Sequence, residues 1–247
     1  MLYVNGDSHT AAAEAAVVHG WACDDGDPAI QIFGKRPHPE NDRVSFGYRL
    51  SQDLGCAYMN DSQSGGSNTR ILRTTNQFLD NYAGRESELF VLIQWSTWER
   101  EEWLIDGEYY QINASGTDTV PESHQQEYKQ WIINIDWQKK SEEWHQKIWQ
   151  YHQNLVRRQV RHLFFNADMY FPPEEIPLDH RHDWNRSYLD PYSESGTYQK
   201  ILKHHGFRCQ SPHNYHFGVD GHCFWSKYLL QYIIDNNLIE PYAIRTD

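Results

Sequence analysis

The amino-acid sequence predicts an α/β fold built on a doubly wound sheet of five parallel strands. Short apolar segments alternate with segments of helical periodicity, which is the order expected of a chain made of βαβ units. The clearest strand, at 89–93, is a continuous apolar run typical of a strand buried on both faces of a parallel sheet. The five strand candidates lie at 2–4, 56–60, 89–93, 162–166 and 206–209.

Helical periodicity fills most of the intervals between these strands. The longest helix is predicted over 122–158, where Trp144, Ile148, Tyr151 and Leu155 repeat at steps of four, three and four. The other helices are predicted over 11–18, 43–53, 69–82, 196–205 and 223–236. Proline, glycine and polar residues predict irregular chain at 24–41, 101–121 and 168–195.

Length and charge limit the possible classes of function. The 247 residues fit a single domain, 1–247, with an aromatic-rich insertion around 98–190. A net charge of −12 argues against nucleic acid or an anionic membrane as partner. No apolar run approaches the length of a membrane span, and a strand beginning at Leu2 leaves no room for a signal peptide, so we expect a cytoplasmic location. The four cysteines form no CxxC pair and are expected to be reduced.

The turn after the first strand carries the strongest candidate for chemistry. Gly6-Asp7-Ser8 follows the strand directly and precedes the predicted helix at 11–18. Such a turn holds a serine hydroxyl at the sheet edge and directs the positive end of the helix toward it, which suits a nucleophile. Asp and Ser are also favoured helix N-caps, so the same residues fit an ordinary cap.

Four motifs in order along the chain resemble the SGNH (GDSL-type) hydrolases. They are Gly6-Asp7-Ser8, the Gly65-Gly66-Ser67-Asn68 loop, the polar turn after the third strand, and an Asp/His pair before the last helix. The resemblance spans nearly the whole chain, with a family-atypical middle. It implies a flavodoxin-like three-layer α/β/α sandwich with a five-stranded parallel sheet, and an ester hydrolase that needs no cofactor and no metal.

The resemblance implies that Ser8 attacks an acyl carbon and forms an acyl-enzyme, with His222 as base and Asp220 orienting the histidine. The family spaces the pair as Asp-x-x-His followed by Pro, whereas this chain has Asp220-Gly221-His222 followed by Cys223. In an extended segment residues two apart point the same way, so the carboxylate is still expected to reach the imidazole. A backbone carbonyl is the alternative partner, and a capping or surface histidine is the alternative role of His222.

The oxyanion donors implied by the resemblance are the backbone N–H groups of Ser8 and Gly66. The family's third donor is an Asn side chain after strand three, where this chain has Trp95-Ser96-Thr97-Trp98. Ser96, Thr97 or Asn68 is the expected replacement. A phage-encoded branch of the family has a similar turn followed by an acidic residue and Arg, which implies structural or substrate-positioning roles for Glu99 and Arg100.

The expected substrate is an acyl ester, with an O-acylated carbohydrate as first choice because tryptophan and tyrosine faces stack on sugars. An acyltransferase using the same acyl-enzyme and an inactive binding protein with the same fold are the alternatives. The 179–183 segment (Asp-His-Arg-His-Asp) offers metal-type ligands, but its central Arg181 favours a solvated loop. His213 and His216 are expected at the surface or around the site, and the sequence carries no signal for an oligomeric state.

Overall fold

The computed structural model describes residues 1–16, 37–114, 120–210 and 215–239. Within them the chain is a mixed α/β protein whose main sheet has four parallel strands. The strands are β1 (Leu2–Asn5), β2 (Tyr58–Asn60), β3 (Phe90–Trp95) and β6 (Arg161–Asn166), and a separate antiparallel hairpin is formed by β4 (Glu101–Ile105) and β5 (Glu108–Ile112). The helices are α1 (Pro39–Asp42), α2 (Phe46–Asp53), α3 (Asn68–Asn81), α4 (Gln125–Ile133), α5 (Trp137–Arg157), α6 (Tyr198–His204) and α7 (Val219–Asp235).

The strand order of the main sheet is β2-β1-β3-β6, so β1 and β3 are its central strands. Val4 of β1 pairs with Asn60 on one side and with Leu92 on the other, and Leu92 pairs in turn with Leu163. All pairings are parallel, so the carboxyl ends of the strands lie at one edge of the sheet. Ligands of open α/β sheets bind at that edge.

Alternation along the strands divides the core between the two faces of the sheet. Tyr3, Val91 and Ile93 belong to one apolar cluster with residues of α3 and α5. Their neighbours Val4 and Leu92 belong to a second cluster with residues of α2, α6 and α7. Both sides of the central strands are therefore buried, which explains the continuous apolar sequences of β1 and β3.

Two of the predicted elements are wrong. Residues 11–16 form turns rather than the first part of a helix, and the positive φ angles of Ala12 (51°) and Glu14 (63°) interrupt any helical path. Residues 17 and 18 of that prediction lie outside the described ranges. The expected fifth strand at 206–209 forms only an isolated antiparallel bridge, between Cys209 and Phe217.

The insertion is more ordered than its sequence suggested. The predicted loop at 101–121 contains the β4–β5 hairpin, whose turn is Asp106-Gly107 with φ angles of 50° and 85°. Asp-Gly between apolar segments is a strong hairpin signal, which the prediction of irregular chain at 101–121 overlooked. The predicted helix at 122–158 is two helices, α4 and α5, and Asp136 caps the second by accepting the Lys139 N–H.

Six of the seven tryptophans between Trp95 and Trp149 are buried in the apolar clusters or pack against them rather than lining an open groove. Trp95, Trp98 and Trp144 are buried, and the Trp144 Nε1–H donates to the Trp98 carbonyl at 2.9 Å. Trp137 is the exception in this group, with 48% of its surface exposed. No helix of the described ranges is long and apolar enough to cross a membrane.

Aromatic rings of α5 and of the 182–192 segment stack on one another. His182 stacks between Trp149 and His145, with centroid distances of 4.3 and 4.7 Å. Tyr192 Oη accepts the Trp184 Nε1–H at 3.0 Å and the His182 backbone N–H at 2.9 Å, and it lies 3.0 Å from His145 Nε2. Because two donors occupy the oxygen, the Tyr192 proton is directed to His145 Nε2. His145 must therefore be neutral for the network to persist.

We expect this network to weaken the fold in acid. Burial, followed by the nearby His182 and His180, lowers the pKa of His145 from 6.5 to about 4. Between these two pKa values the unfolded chain binds a proton that the folded chain excludes. The contribution of neutral His145 to stability is therefore fully present above pH 6.5 and is lost as the pH falls toward 4. His145 contributes on the order of 2–3 kcal/mol to the free energy of unfolding. Urea unfolding at a series of pH values measures it.

The matched variants for this prediction are His145→Gln and His205→Gln. Glutamine keeps an acceptor for Tyr192 but does not titrate, so His145→Gln is expected to reduce the pH dependence of the unfolding free energy between pH 6.5 and 4. His205 is exposed and outside the network, and its replacement should leave that slope unchanged. An unaltered slope in His145→Gln would contradict the proton assignment.

Candidate active site

The carboxyl ends of β1 and β3 meet around the turn that follows Asn5. Gly6 lies at the tightest point, since a Cβ there would stand 2.3 Å from Thr10 Oγ1 and 2.9 Å from Gln94 Oε1. Gln94 Oε1 also accepts the Thr10 hydroxyl at 2.8 Å. Glycine is thus required for the close approach of this turn to β3.

The Asp7 carboxylate ties the turn to the segment after β3. Its Oδ1 accepts the His9 N–H at 3.0 Å, and its Oδ2 accepts the Ser96 hydroxyl at 2.8 Å and Arg100 Nη1 at 3.1 Å. Burial alone raises the pKa of Asp7, but His9, Arg100 and these hydrogen bonds outweigh it and hold the pKa below its usual range. Asp7 is therefore a buried, ionised anchor.

The backbone carbonyl of Ser8 is hydrogen-bonded, whereas within the described ranges its hydroxyl and its N–H group are not. Its carbonyl accepts the Ala13 N–H at 3.0 Å. Neither its hydroxyl nor its N–H is hydrogen-bonded to any residue of the described ranges, and the side chain is only half-buried. A serine that merely caps a helix would have a backbone N–H two or three residues ahead as donor. Ser8 has the position of a nucleophile and lacks the contact of a cap.

His9 lies directly beside Ser8 and is neutral. Gln199 Nε2 donates to the Tyr215 carbonyl at 3.3 Å and lies 3.4 Å from His9 Nε2, so this ring nitrogen is the acceptor and Nδ1 carries the proton. His9 Nδ1 is buried without a partner in the described part of the chain. Burial, opposed by Asp7 and assisted by His216 and Arg100, lowers the pKa of His9 to about 4.

A second histidine reaches the turn from the other end of the chain. His216 precedes α7, and its ring contacts that of His9 at a centroid distance of 5.5 Å. Its Nδ1 lies 3.2 Å from Oε2 of Glu14, which belongs to the same turn as Ser8. Both side chains are about four-fifths buried, at 19% and 18% exposure. A carboxylate on Nδ1 fixes the ring of a histidine and supports proton acceptance at Nε2.

Sequence reasoning placed His216 at the surface or around the site rather than in it. No local pattern singled out His216, since the residue three positions earlier is a histidine rather than an aspartate. Position 213 is a histidine and lies outside the described residues. The carboxylate beside His216 comes instead from Glu14, which no local pattern connects to it.

The expected Asp220–His222 pair is wrong in its geometry. Both residues lie in the first turn of α7, where positions two apart point to different sides of the helix. Asp220 is exposed, whereas His222 is buried and accepts the Phe46 N–H on Nδ1 at 3.3 Å. Burial first, and then His9 and Arg49, lower the pKa of His222 to about 3. His222 Nδ1 accepts the first backbone N–H of α2, so this nitrogen carries no proton to donate to Asp220.

The side chains expected at the oxyanion are all engaged within the protein. Asn68 accepts the Ser96 N–H with Oδ1 at 2.7 Å and donates to the Ser96 carbonyl at 3.1 Å. The Ser96 hydroxyl donates to Asp7, and the Thr97 hydroxyl donates to Glu99 Oε1 at 2.9 Å. Asn68, Ser96 and Thr97 therefore connect the start of α3 to the end of β3.

The Gly66 N–H is engaged as well, because it donates to the Gln63 carbonyl at 2.8 Å. A Cβ at position 66 would stand 2.7 Å from that same carbonyl oxygen, so the loop needs glycine for its tight turn. Of the predicted oxyanion donors, the Ser8 N–H is the one without an acceptor among the described residues.

Glu99 and Arg100 have clear structural contacts. Arg100 Nη1 bridges Asp7 and the Ser96 hydroxyl, at 3.1 and 2.8 Å. Glu99 is 8% exposed and accepts Thr97. Both residues therefore support the turn that faces Ser8, and a substrate-positioning role stays a prediction.

The segment at 179–183 is not assembled as a metal site. Asp179 and His180 are exposed, while His182 belongs to the aromatic stack against His145. Among the described residues, no group of three or more His, Cys, Asp or Glu side chains has a geometry that could hold a metal ion.

Comparison with known proteins places the chain in a family. No curated protein matches the chain. A family model matches residues 34–240, which include every part of the site except the Ser8 turn. The match covers well over half of the sequence, and the chain belongs to DUF6071, a family of unknown function.

Proposed function

We propose that this chain is a serine ester hydrolase with an SGNH-like site, in which Ser8 is the nucleophile and His216 the base. The observation that carries the proposal is the unengaged Ser8 hydroxyl at the carboxyl end of a central strand, in the same turn as His9 and Glu14, which both contact His216. Apolar clusters on both faces of the sheet also support the finer fold proposal, a flavodoxin-like three-layer sandwich. The fifth strand of that fold is absent from the described ranges.

The proposed reaction has two steps. His216 Nε2 takes the Ser8 proton as Oγ attacks the acyl carbon, and the tetrahedral intermediate then expels the alcohol, which receives the proton from His216. In the second step water attacks the acyl-enzyme and gives its proton to His216; the tetrahedral intermediate then expels Ser8 Oγ, which takes that proton back from His216, and the carboxylic acid leaves. Glu14 keeps the ring oriented and stabilises the imidazolium that forms in each step.

Few donors remain for the negative charge on the acyl oxygen. The Ser8 N–H has no acceptor among the described residues, and we assign the oxyanion to it. Loss of one donor of an oxyanion hole costs about 10²–10³ in rate. With Gly66, Asn68, Ser96 and Thr97 engaged elsewhere, we expect slow turnover.

The proposed substrate is an acyl ester carried by a carbohydrate. Tyr215 supports this class, because it is 67% exposed and immediately precedes His216 in the chain. An aromatic face at the rim of a site stacks on the apolar face of a sugar ring. An acyltransferase would use the same acyl-enzyme with a sugar hydroxyl in place of water.

A second candidate function is a non-catalytic binding protein on the same fold. The engagement of Gly66, Asn68, Ser96 and Thr97 favours it, since these groups stabilise the two turns instead of facing a substrate. The reactivity of Ser8 separates the two candidates.

Labelling with a fluorophosphonate probe tests the nucleophile. The wild-type protein should acquire one covalent adduct on Ser8, because only an activated serine reacts with the probe. Ser8→Ala should abolish labelling while circular dichroism and unfolding remain those of the wild type. Ser123→Ala, which alters an exposed serine outside the site, should label normally. An unlabelled wild-type protein would favour the binding protein, and labelled Ser8→Ala would exclude Ser8.

The identity of the base is tested by His216→Gln and His222→Gln. His216→Gln should lower the labelling rate of Ser8 by about 10²-fold or more, because a general base contributes that much. His222→Gln should destabilise the protein by loss of the Phe46 contact, yet its folded fraction should label at nearly the wild-type rate. The opposite ranking of labelling rates would restore His222 as base.

A further inference from the structure

A cleft between α2 and α7 gathers positive charge on an acidic protein. Its volume is about 260 Å³, and its walls include Arg43, Arg49 and Lys227. Asp53 is the single carboxylate on the same walls. Three cations and one anion give the cleft a net charge of +2, on a chain whose total is −12.

The three cations have no acidic partner in the described part of the chain. None of Arg43, Arg49 and Lys227 forms an ion pair there, although Asp53 shares the cleft with them. Arg49 is positioned by its Nε–H, which donates to the Val44 carbonyl at 3.1 Å. Its terminal Nη groups donate to no described residue and remain available for a ligand.

The floor of the cleft has an unsatisfied polar group. Ser226 of α7 lines the cleft and is 1% exposed, and its hydroxyl has no hydrogen-bond partner among the described residues. A buried hydroxyl without a hydrogen-bond partner destabilises the fold, because it has lost its bonds to water. A ligand oxygen in the cleft would supply the missing acceptor.

We propose that this cleft binds the phosphate group of a small molecule. A phosphate near its dianion balances the net charge of +2 and offers several acceptors to Arg43, Arg49 and Lys227. The cleft is smaller than the roughly 300–1,000 Å³ of pockets for drug-sized ligands, so it fits one phosphate group rather than a whole cofactor. The net charge of −12 argues against an extended polyanion such as nucleic acid as the ligand.

Isothermal titration with inorganic phosphate at constant ionic strength tests the proposal. We expect saturable binding at one site, with sodium acetate as the comparison salt. The double variant Arg43→Gln/Lys227→Gln should weaken phosphate binding about tenfold or more, since each charged hydrogen bond contributes on that scale. Both side chains are exposed, so the variant should fold normally.

The control is Lys129→Gln/Arg157→Gln, which removes the same charge from exposed positions of α4 and α5. It should bind phosphate like the wild type. Absence of saturable binding to the wild type, or an equal loss in the two double variants, would overturn the proposal. Neither outcome depends on the reactivity of Ser8.

Ser226→Ala separates a ligand role from a structural one. Removal of the unpartnered hydroxyl should leave the free protein as stable as the wild type or slightly more so. The same variant should bind phosphate several-fold more weakly. Wild-type affinity for phosphate in Ser226→Ala would remove the hydroxyl from the proposed site, and lower stability of the free protein would show that it already has a partner.

Discussion

The buried charge of Asp7 is the constraint on which the site depends. A carboxylate at 2% exposure is tolerated only when its oxygens are occupied by donors, and Asp7 has the His9 N–H, the Ser96 hydroxyl and Arg100. These donors come from the turn after β1 and from the segment after β3. Asp7 thus joins the two central strands at their carboxyl ends and fixes the backbone that carries Ser8.

The turn around Ser8 follows from this anchoring. A helix starting at Ala11 would carry residues 12 and 14 away from the sheet edge, whereas left-handed backbone at Ala12 and Glu14 folds the chain back on itself. The Ala13 N–H then reaches the Ser8 carbonyl, and Glu14 reaches His216. The segment that carries the proposed nucleophile therefore also supplies the carboxylate for its base. Strain in left-handed residues persists where neighbouring contacts enforce it, and such residues are common at functional sites.

Strands could be predicted because their signal is local. The apolar runs of β1, β3 and β6 reflect burial on both faces, and all three were located to within two residues. The predicted fifth strand was wrong because a four-residue segment such as Gly206-Phe207-Arg208-Cys209 does not say whether a partner strand is available to it. Cys209 meets Phe217 in a single antiparallel bridge instead.

Ser8 could also be located from the sequence, since a strand followed by Gly-Asp-Ser is a short-range pattern. The proposed base could not, because the contact between His216 and Glu14 joins residues 202 positions apart. Asp220 and His222 were selected as the Asp/His pair before the last helix, but the helix that contains them directs their side chains to different sides. Pairing of distant residues is decided by tertiary packing, about which one sequence contains little information.

His222 connects the proposed Ser8 site and the proposed phosphate site through α2. It accepts the first N–H of α2, the helix that also carries Arg49 into the cationic cleft. His9 and Arg49 both lower the pKa of His222, but burial is the largest cause. A phosphate beside Arg49 would offset part of the guanidinium charge and leave the burial unchanged. His222 would therefore remain neutral near pH 7 and keep its bond to Phe46, so occupation of the cleft does not by itself alter the Ser8 turn.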